Sequence, residues 1–248
     1  MKTIQFGLTA LVVALSSNAA GPYTTAHDTD GMVTVNGNRT FILGAYQVGN
    51  KYTAPTHTPE LYQEVAQAGF NLVSASGADM DLAQQAGLMT WANAGTLDLK
   101  DKEASTKAIT DAVNAVKNHP SLAFLETVDE PAWSWMKPET RISAQALVEA
   151  YPIIKQADPN HLLYTNHAPT NLVKTLQAYN AGTDIIAVDI YPVAPAGLKT
   201  QYALFEDGLQ GDLLNTYISQ VGEYTDKMRR VGGPDRPVFM VLQGFAWE

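Results

Sequence analysis

Asp129 and Glu130 stand at the end of an apolar run, Leu122–Val128, and immediately before Pro131. Such a run reads as a strand, and proline, which has no N–H to donate, ends it. Side chains alternate along a strand, so Leu122, Phe124, Glu126, Val128 and Glu130 are expected on one face and Asp129 on the other. A carboxyl group placed there and shielded by Trp133 or Trp135 would lose hydration and hold its proton nearer neutrality. That is the property of a general acid that protonates an ether-like leaving oxygen. The spacing alone suits equally well a loop carboxylate that caps the next helix.

Other chemistries are poorly served. The histidines, at positions 27, 57, 119, 161 and 167, show neither His-x-x-x-His nor His-Glu-x-x-His spacing, so no metal site is expected. His119 and His161 fall at the starts of strands; only His167, beside Asn166, is placed to reach the end that carries Glu130. A lone histidine is more often structural. The absence of cysteine removes disulfides, thiolate ligands and thiol nucleophiles. No Gly-x-Ser-x-Gly elbow offers a serine nucleophile, and no cofactor is expected.

The elements that must position these groups alternate in type. Expected strands are Phe41–Gln47, Asn71–Ala75, Leu88–Ala92, Leu122–Val128, Leu162–Asn166, Ile185–Ile190 and Val238–Gln243. Helical stretches lie between them, near Pro59–Ala68, Met80–Ala86, Glu103–Asn118, Arg141–Gln156, Thr170–Tyr179 and Asp212–Arg230. In the third helix Ala104, Ala108, Ile109, Ala112, Val113 and Val116 make one apolar face, and His119-Pro120 stops it. Ahead of these elements, Met32–Val35 and Thr40–Leu43 flank Asn36-Gly37, which suits the tight turn of a short N-terminal hairpin. Strands apolar on both faces, each followed by a helix, indicate an α/β fold with a buried parallel sheet. A (β/α)8 TIM barrel is the expected form. The doubly wound rival lacks a Gly-x-Gly-x-x-Gly turn after the first strand. About seven strands are present where a closed barrel has eight, so the barrel is expected to be incomplete and the chain a fragment.

Residues 1–20 carry Lys2, the short apolar run Leu8–Leu15 and the small residues Ser17-Asn18-Ala19. The run is too short to span a bilayer and reads as a secretory signal peptide. Residues 21–248 are then one exported domain, extracellular or periplasmic. Removing Lys2 leaves 15 basic residues against 25 acidic, a charge of −10 in place of −9. Such a surface disfavours nucleic acid and anionic membranes, and a neutral substrate is the simpler expectation.

The segment ending Val128-Asp129-Glu130-Pro131 resembles the fourth strand of clan-A-type glycoside hydrolases. In those enzymes Asn-Glu-Pro, or Asp-Glu-Pro in some secreted groups, carries the acid/base glutamate. Val35-Asn36-Gly37 through Phe41-Ile42-Leu43-Gly44 resembles their opening. Asp184–Pro192 resembles their sixth strand, and Arg236-Pro237-Val238 through Gly244-Phe245 resembles their seventh. The resemblance spans Val33 to Trp247 and implies two-carboxylate hydrolysis of O-glycosidic bonds, with Glu130 as acid/base. One departure matters. Retaining members carry a nucleophilic glutamate at the end of strand seven, where this chain has Gln243, and an amide cannot form a glycosyl ester. Asp189, then Glu248, are the alternatives for the second carboxylate. A separation wide enough for an inverting water is therefore expected between Glu130 and its partner. Sugar rings stack on aromatic faces, and Tyr46, Trp91, Trp133, Trp135, Tyr191 and Trp247 all fall at or just past strand ends, although such rings are more often core. Asp129, Gln47, Asn166 and Gln243 complete the expected substrate contacts. A carbohydrate-binding barrel without turnover, or an inactive truncated homologue, is the competing reading.

Overall fold

The computed structural model describes residues 22–46, 48, 57–133, 140–169, 171–193 and 219–244. It opens with a three-stranded antiparallel sheet, β1 (Thr25–His27), β2 (Val33–Val35) and β3 (Asn38–Arg39). Asn36 and Gly37 join the last two strands with φ of 49° and 79°, the positive pair that a two-residue hairpin turn demands. The hairpin's return strand is therefore Asn38–Arg39, earlier than the expected Thr40–Leu43. The strand β1 adds a third member that was not expected. Val33 and Val35 alternate inward to meet Leu72, Met89, Leu162 and Ile185, so this sheet packs on residues near the start of the strands that follow. The Thr25 hydroxyl fixes it there, donating to Ala123 O at 2.8 Å and accepting from Leu162 N at 2.7 Å.

Seven further strands form one parallel sheet: β4 (Gly44–Ala45), β5 (Leu72–Ser74), β6 (Met89–Asn93), β7 (Leu122–Glu126), β8 (Leu162–His167), β9 (Ile185–Ile190) and β10 (Val238–Leu242). They are hydrogen-bonded in strict chain order and every pairing is parallel. The order never reverses, which removes the doubly wound alternative. The sheet curls as a half barrel, and among the described residues its edge strands β4 and β10 do not pair with each other. Phe41, Leu43 and Leu242 are exposed at those edges. The first strand is shorter than the expected Phe41–Gln47 because the Asn71 side chain replaces part of the ladder. Its Nδ2 donates to Phe41 O at 2.7 Å and its Oδ1 accepts from Leu43 N at 2.9 Å.

The helices α1 (Pro59–Gln67), α2 (Asp79–Gln85), α3 (Lys102–Val116), α4 (Ala144–Ala157), α5 (Val173–Gln177) and α6 (Gln220–Gly232) lie between strands. Three start on side-chain caps: Thr58, Asp101 and Ser143 accept from Leu61 N, Ala104 N and Ala146 N. Such caps satisfy amides that the first turn leaves unpaired. The Ser143 cap moves the start of α4 past the expected Arg141. In α3 the buried face is built on Ile109 and Val113, while Ala104 and Ala108 are exposed. The real stripe is set by the larger side chains, and truncating either to alanine should cost about 2–4 kcal/mol. The outer sheet face packs Val73, Leu122, Leu125 and Leu163 on Ile109, Val113, Ala150 and Ile154. Further along, Ile186 and Val188 meet Leu147, Leu176, Met228 and Val231. The inner face carries Trp91, Phe124, Tyr164, Ala187, Phe239 and Val241. Burial on both sides explains why the strands read as nearly continuous apolar runs. No helix among the described residues is long and apolar enough to cross a membrane.

Candidate active site

At the carboxyl ends of β7, β8 and β9 the inner face changes from apolar to polar. Glu126, Asn166 and Asp189 succeed Phe124, Tyr164 and Ala187 at the two-residue period of each strand, and all three are buried. The strand β7 ends at Glu126, earlier than the expected Val128, so alternation does not govern Asp129 and Glu130. Their placement comes from a turn. Glu130 N donates to Asn166 O at 2.9 Å and Trp133 N donates to Glu130 O at 2.9 Å, folding the segment back over β8. Glu130 adopts φ of 44°, a left-handed conformation that is uncommon for a residue with a Cβ.

The turn brings Glu130 into hydrogen-bonding contact with Asp189. Burial is the largest cause raising the proton affinity of both. For Glu130 the charges of Asp189 and Asp129 raise it further, and the hydrogen bond to Asp189 holds the proton on Glu130. For Asp189 hydrogen bonds from Tyr191 and Glu130 act against burial, leaving its carboxyl above the ordinary range but below that of Glu130. Two carboxyls this close cannot both ionise easily, and the pair holds one proton between them. Asp189 Oδ1 has no hydrogen-bond partner among the described residues.

Asp129 was expected to face away. It is instead exposed but turned toward the cluster, close enough for its charge to add to the raised proton affinities of Tyr46, Glu126, Glu130, Asp189 and Tyr191. Asn166 Nδ2 donates to Asp129 Oδ1 at 2.9 Å, while Asn166 Oδ1 is buried and unpartnered among the described residues.

Glu126 is the site residue that sequence reasoning passed over. It accepts from the Tyr46 hydroxyl at 3.1 Å and from Trp91 Nε1 at 3.2 Å, and the Tyr164 hydroxyl donates to the Tyr46 hydroxyl at 3.1 Å. Burial nonetheless raises its carboxyl above the usual value. The available signal was its parity with Phe124, which puts an acid on the inner face of an apolar strand.

The remaining expected contacts divide. Tyr46 is 40% exposed, with its ring edge-on to Trp91 at 5.0 Å, and Tyr191 is partly exposed beside Asp189. Trp133 is half-buried on the Glu130 turn. Trp91 is buried within the inner core, one layer below the site. Gln243 bonds the backbone of Val193 at both amide ends, at 3.0 and 2.9 Å, joining the segments that follow β9 and β10. His167 is fully buried with its ring on Tyr179. The parity that turns Asn166 inward turns His167 outward, so it does not reach the cluster. Its imidazole is pushed down to about 4 by burial and is neutral at pH 7. Gln47, Trp135, Trp247 and Glu248 lie outside the described residues.

No protein-family model matches the sequence, and no curated protein matches it. Solved structures do match by shape. An FMN-binding β-glucuronidase from Facaelibacterium prausnitzii L2-6 aligns with TM-score 0.60 and 18% identity over 92% of this chain and 35% of its own. A Bacteroides uniformis β-glucuronidase aligns at 0.57 with 13% identity, over 87% of this chain and 26% of that one. A GH2 β-galacturonidase from Eisenbergiella tayi bound to galacturonate aligns at 0.56 with 13% identity, over 92% and 40%. The chain thus spans well under half the length of these proteins, and at such identities the likeness is one of fold.

Proposed function

We propose that the protein is an O-glycoside hydrolase whose curled sheet is the greater part of a (β/α)8 barrel, with Glu130 as general acid and Asp189 as the second carboxylate. The observation that carries this reading is the proton-sharing Glu130–Asp189 pair at the carboxyl ends of parallel strands, the face where such folds build their sites. Two acids whose surroundings separate their proton affinities are the equipment of acid/base catalysis at neutral pH. Glu130 holds the proton that the leaving oxygen needs. Asp189, the more readily ionised, bears the charge that stabilises the cationic sugar or activates its attacker. The likeness in fold to three structures named as glycosidases supports the same reading.

Taken with the leader-like residues 1–20, the reading is of an exported single-domain enzyme acting on a poly- or oligosaccharide outside the cytoplasm. A binding protein without turnover is the second reading, favoured by Gln243, which spends its amide on Val193 and leaves strand seven without a carboxylate. Screening the chain against chromogenic glycosides and polysaccharides, with Glu130→Gln and Asp189→Asn as controls, tests both. Hydrolysis that falls about a hundredfold or more in each variant supports the enzyme. Sugar binding that is equal in all three proteins, with no turnover in any, supports the binder.

A further inference from the structure

Resting on the glycosidase reading, we infer that the site selects a sugar ring without a carboxylate, through an acceptor-only subsite formed by Asp129 and Asn166. Asn166 is 3% exposed and its Nδ2 is committed to Asp129. What it leaves unpartnered among the described residues is Oδ1, an acceptor. Asp189, 5% exposed, likewise leaves an acceptor, its Oδ1, unpartnered among the described residues. The donors around them are engaged with carboxyls: the Tyr46 hydroxyl and Trp91 Nε1 bond Glu126, and the Tyr191 hydroxyl bonds Asp189. An unpaired buried acceptor is costly until a ligand supplies the donor. Hydroxyl groups do so; a uronate's carboxylate has none to offer.

Charge points the same way. Asp129 acts electrostatically on Tyr46, Glu126, Glu130, Asp189 and Tyr191, and among the described residues no lysine or arginine shifts Glu126, Glu130 or Asp189. A carboxylate brought within several ångströms of the buried Asp189 would be repelled at the reduced dielectric there, and the exposed Asp129 adds a weaker repulsion. The structures similar in fold are named for glucuronide and galacturonide cleavage, so this chain departs from them in substrate class.

The test is a matched comparison in the full chain: nitrophenyl glucoside against glucuronide, and galactoside against galacturonide, in both anomeric series. Turnover is read on the wild type, and binding of the corresponding methyl glycosides on Glu130→Gln by calorimetry. The neutral member of a pair should be preferred by about tenfold or more, and Asp129→Asn, which keeps an acceptor for Asn166, should narrow that preference. A uronate that is bound or cleaved as well as its neutral partner overturns the inference and leaves the glycosidase reading standing. Failure of every sugar both to bind and to react overturns the two together.

Discussion

Replacing Glu130 by glutamine should stabilise the protein, and by an amount that depends on pH. The carboxyl sits against Asp189 and Asp129 in a part-buried turn, and its folded proton affinity is carried past neutrality. In the unfolded chain it titrates near 4.5. Between those limits the folded state holds a proton that the unfolded state has released, so rising pH favours unfolding. The folded state's advantage from this group is intact below pH 4.5 and is lost progressively above it. From 4.5 to 7 is about two and a half pH units, and at about 1.4 kcal/mol per unit the loss is bounded near 3 kcal/mol. Glutamine keeps the shape and a donor toward Asp189 but cannot ionise, so it escapes the loss.

Glu130→Gln should therefore match the wild type at pH 4 and exceed it by about 1–3 kcal/mol at pH 7. For a chain of this size that is a rise of about 2–12 °C in Tm. The assay is urea unfolding of both proteins at each pH, and the quantity that matters is the difference between them. Absolute stability would mislead, because His167 acts with the opposite sign between about 4 and 6.5 and is common to both proteins. A difference that stays constant from pH 4 to 7 would refute the reasoning and, with it, the raised proton affinity of the pair.

Three further outcomes are expected. Activity on a confirmed glycoside should follow a bell in pH, with the alkaline limb set by loss of the shared proton and the acid limb by protonation of Asp189. Since both carboxyls are raised, the bell should lie above the range of ordinary carboxylates, and an acid limb near pH 4 would contradict the pairing. Gly182→Ala would place a Cβ 2.8 Å from the Leu147 carbonyl carbon; it should cost about 1–3 kcal/mol, read as a fall in urea midpoint. His167→Phe keeps the ring packing on Tyr179 and removes two ring nitrogens that have no partner among the described residues. Because the unfolded histidine binds its proton near 6.5 and the folded one only near 4, the variant's advantage should grow as pH falls below 6.5, reaching about 2 kcal/mol at pH 5.

Seven parallel strands in chain order could be read from the sequence because burial on both faces writes itself as uninterrupted apolar runs. Ile185–Ile190 was read to the residue for this reason. The first strand was misjudged because Asn71 supplies from its side chain the hydrogen bonds that a longer strand would supply from backbone, and no periodicity records that. The presence of Asp129 and Glu130 at a strand's end was legible from Pro131. Their orientation was not, since it follows from a backbone bond to Asn166, thirty-six positions onward. Asn166 and His167 show the same limit: adjacent in sequence, they point to opposite faces, and only the true parity of β8 assigns the inward place to the amide.

The left-handed backbone at Glu130 ties these observations into one argument. A residue with a Cβ at φ of 44° costs on the order of 1 kcal/mol or more, and a glycine there would cost far less. The chain instead holds a carboxylate at that strained position, beside two other acids, within a turn fastened to β8. Strain and charge repulsion fall on the same residue, and neither improves the core. The two can be separated. Glu130→Gln relieves the charge and leaves the strain, giving a gain that varies with pH. Glu130→Gly relieves both, adding a second gain that does not. If glycine were no more stable than glutamine at pH 4, where the charge has gone in either case, the strain would be absent and the turn would be an ordinary loop. If the added gain is present, the position is held against stability, as expected where a side chain is retained for its chemistry.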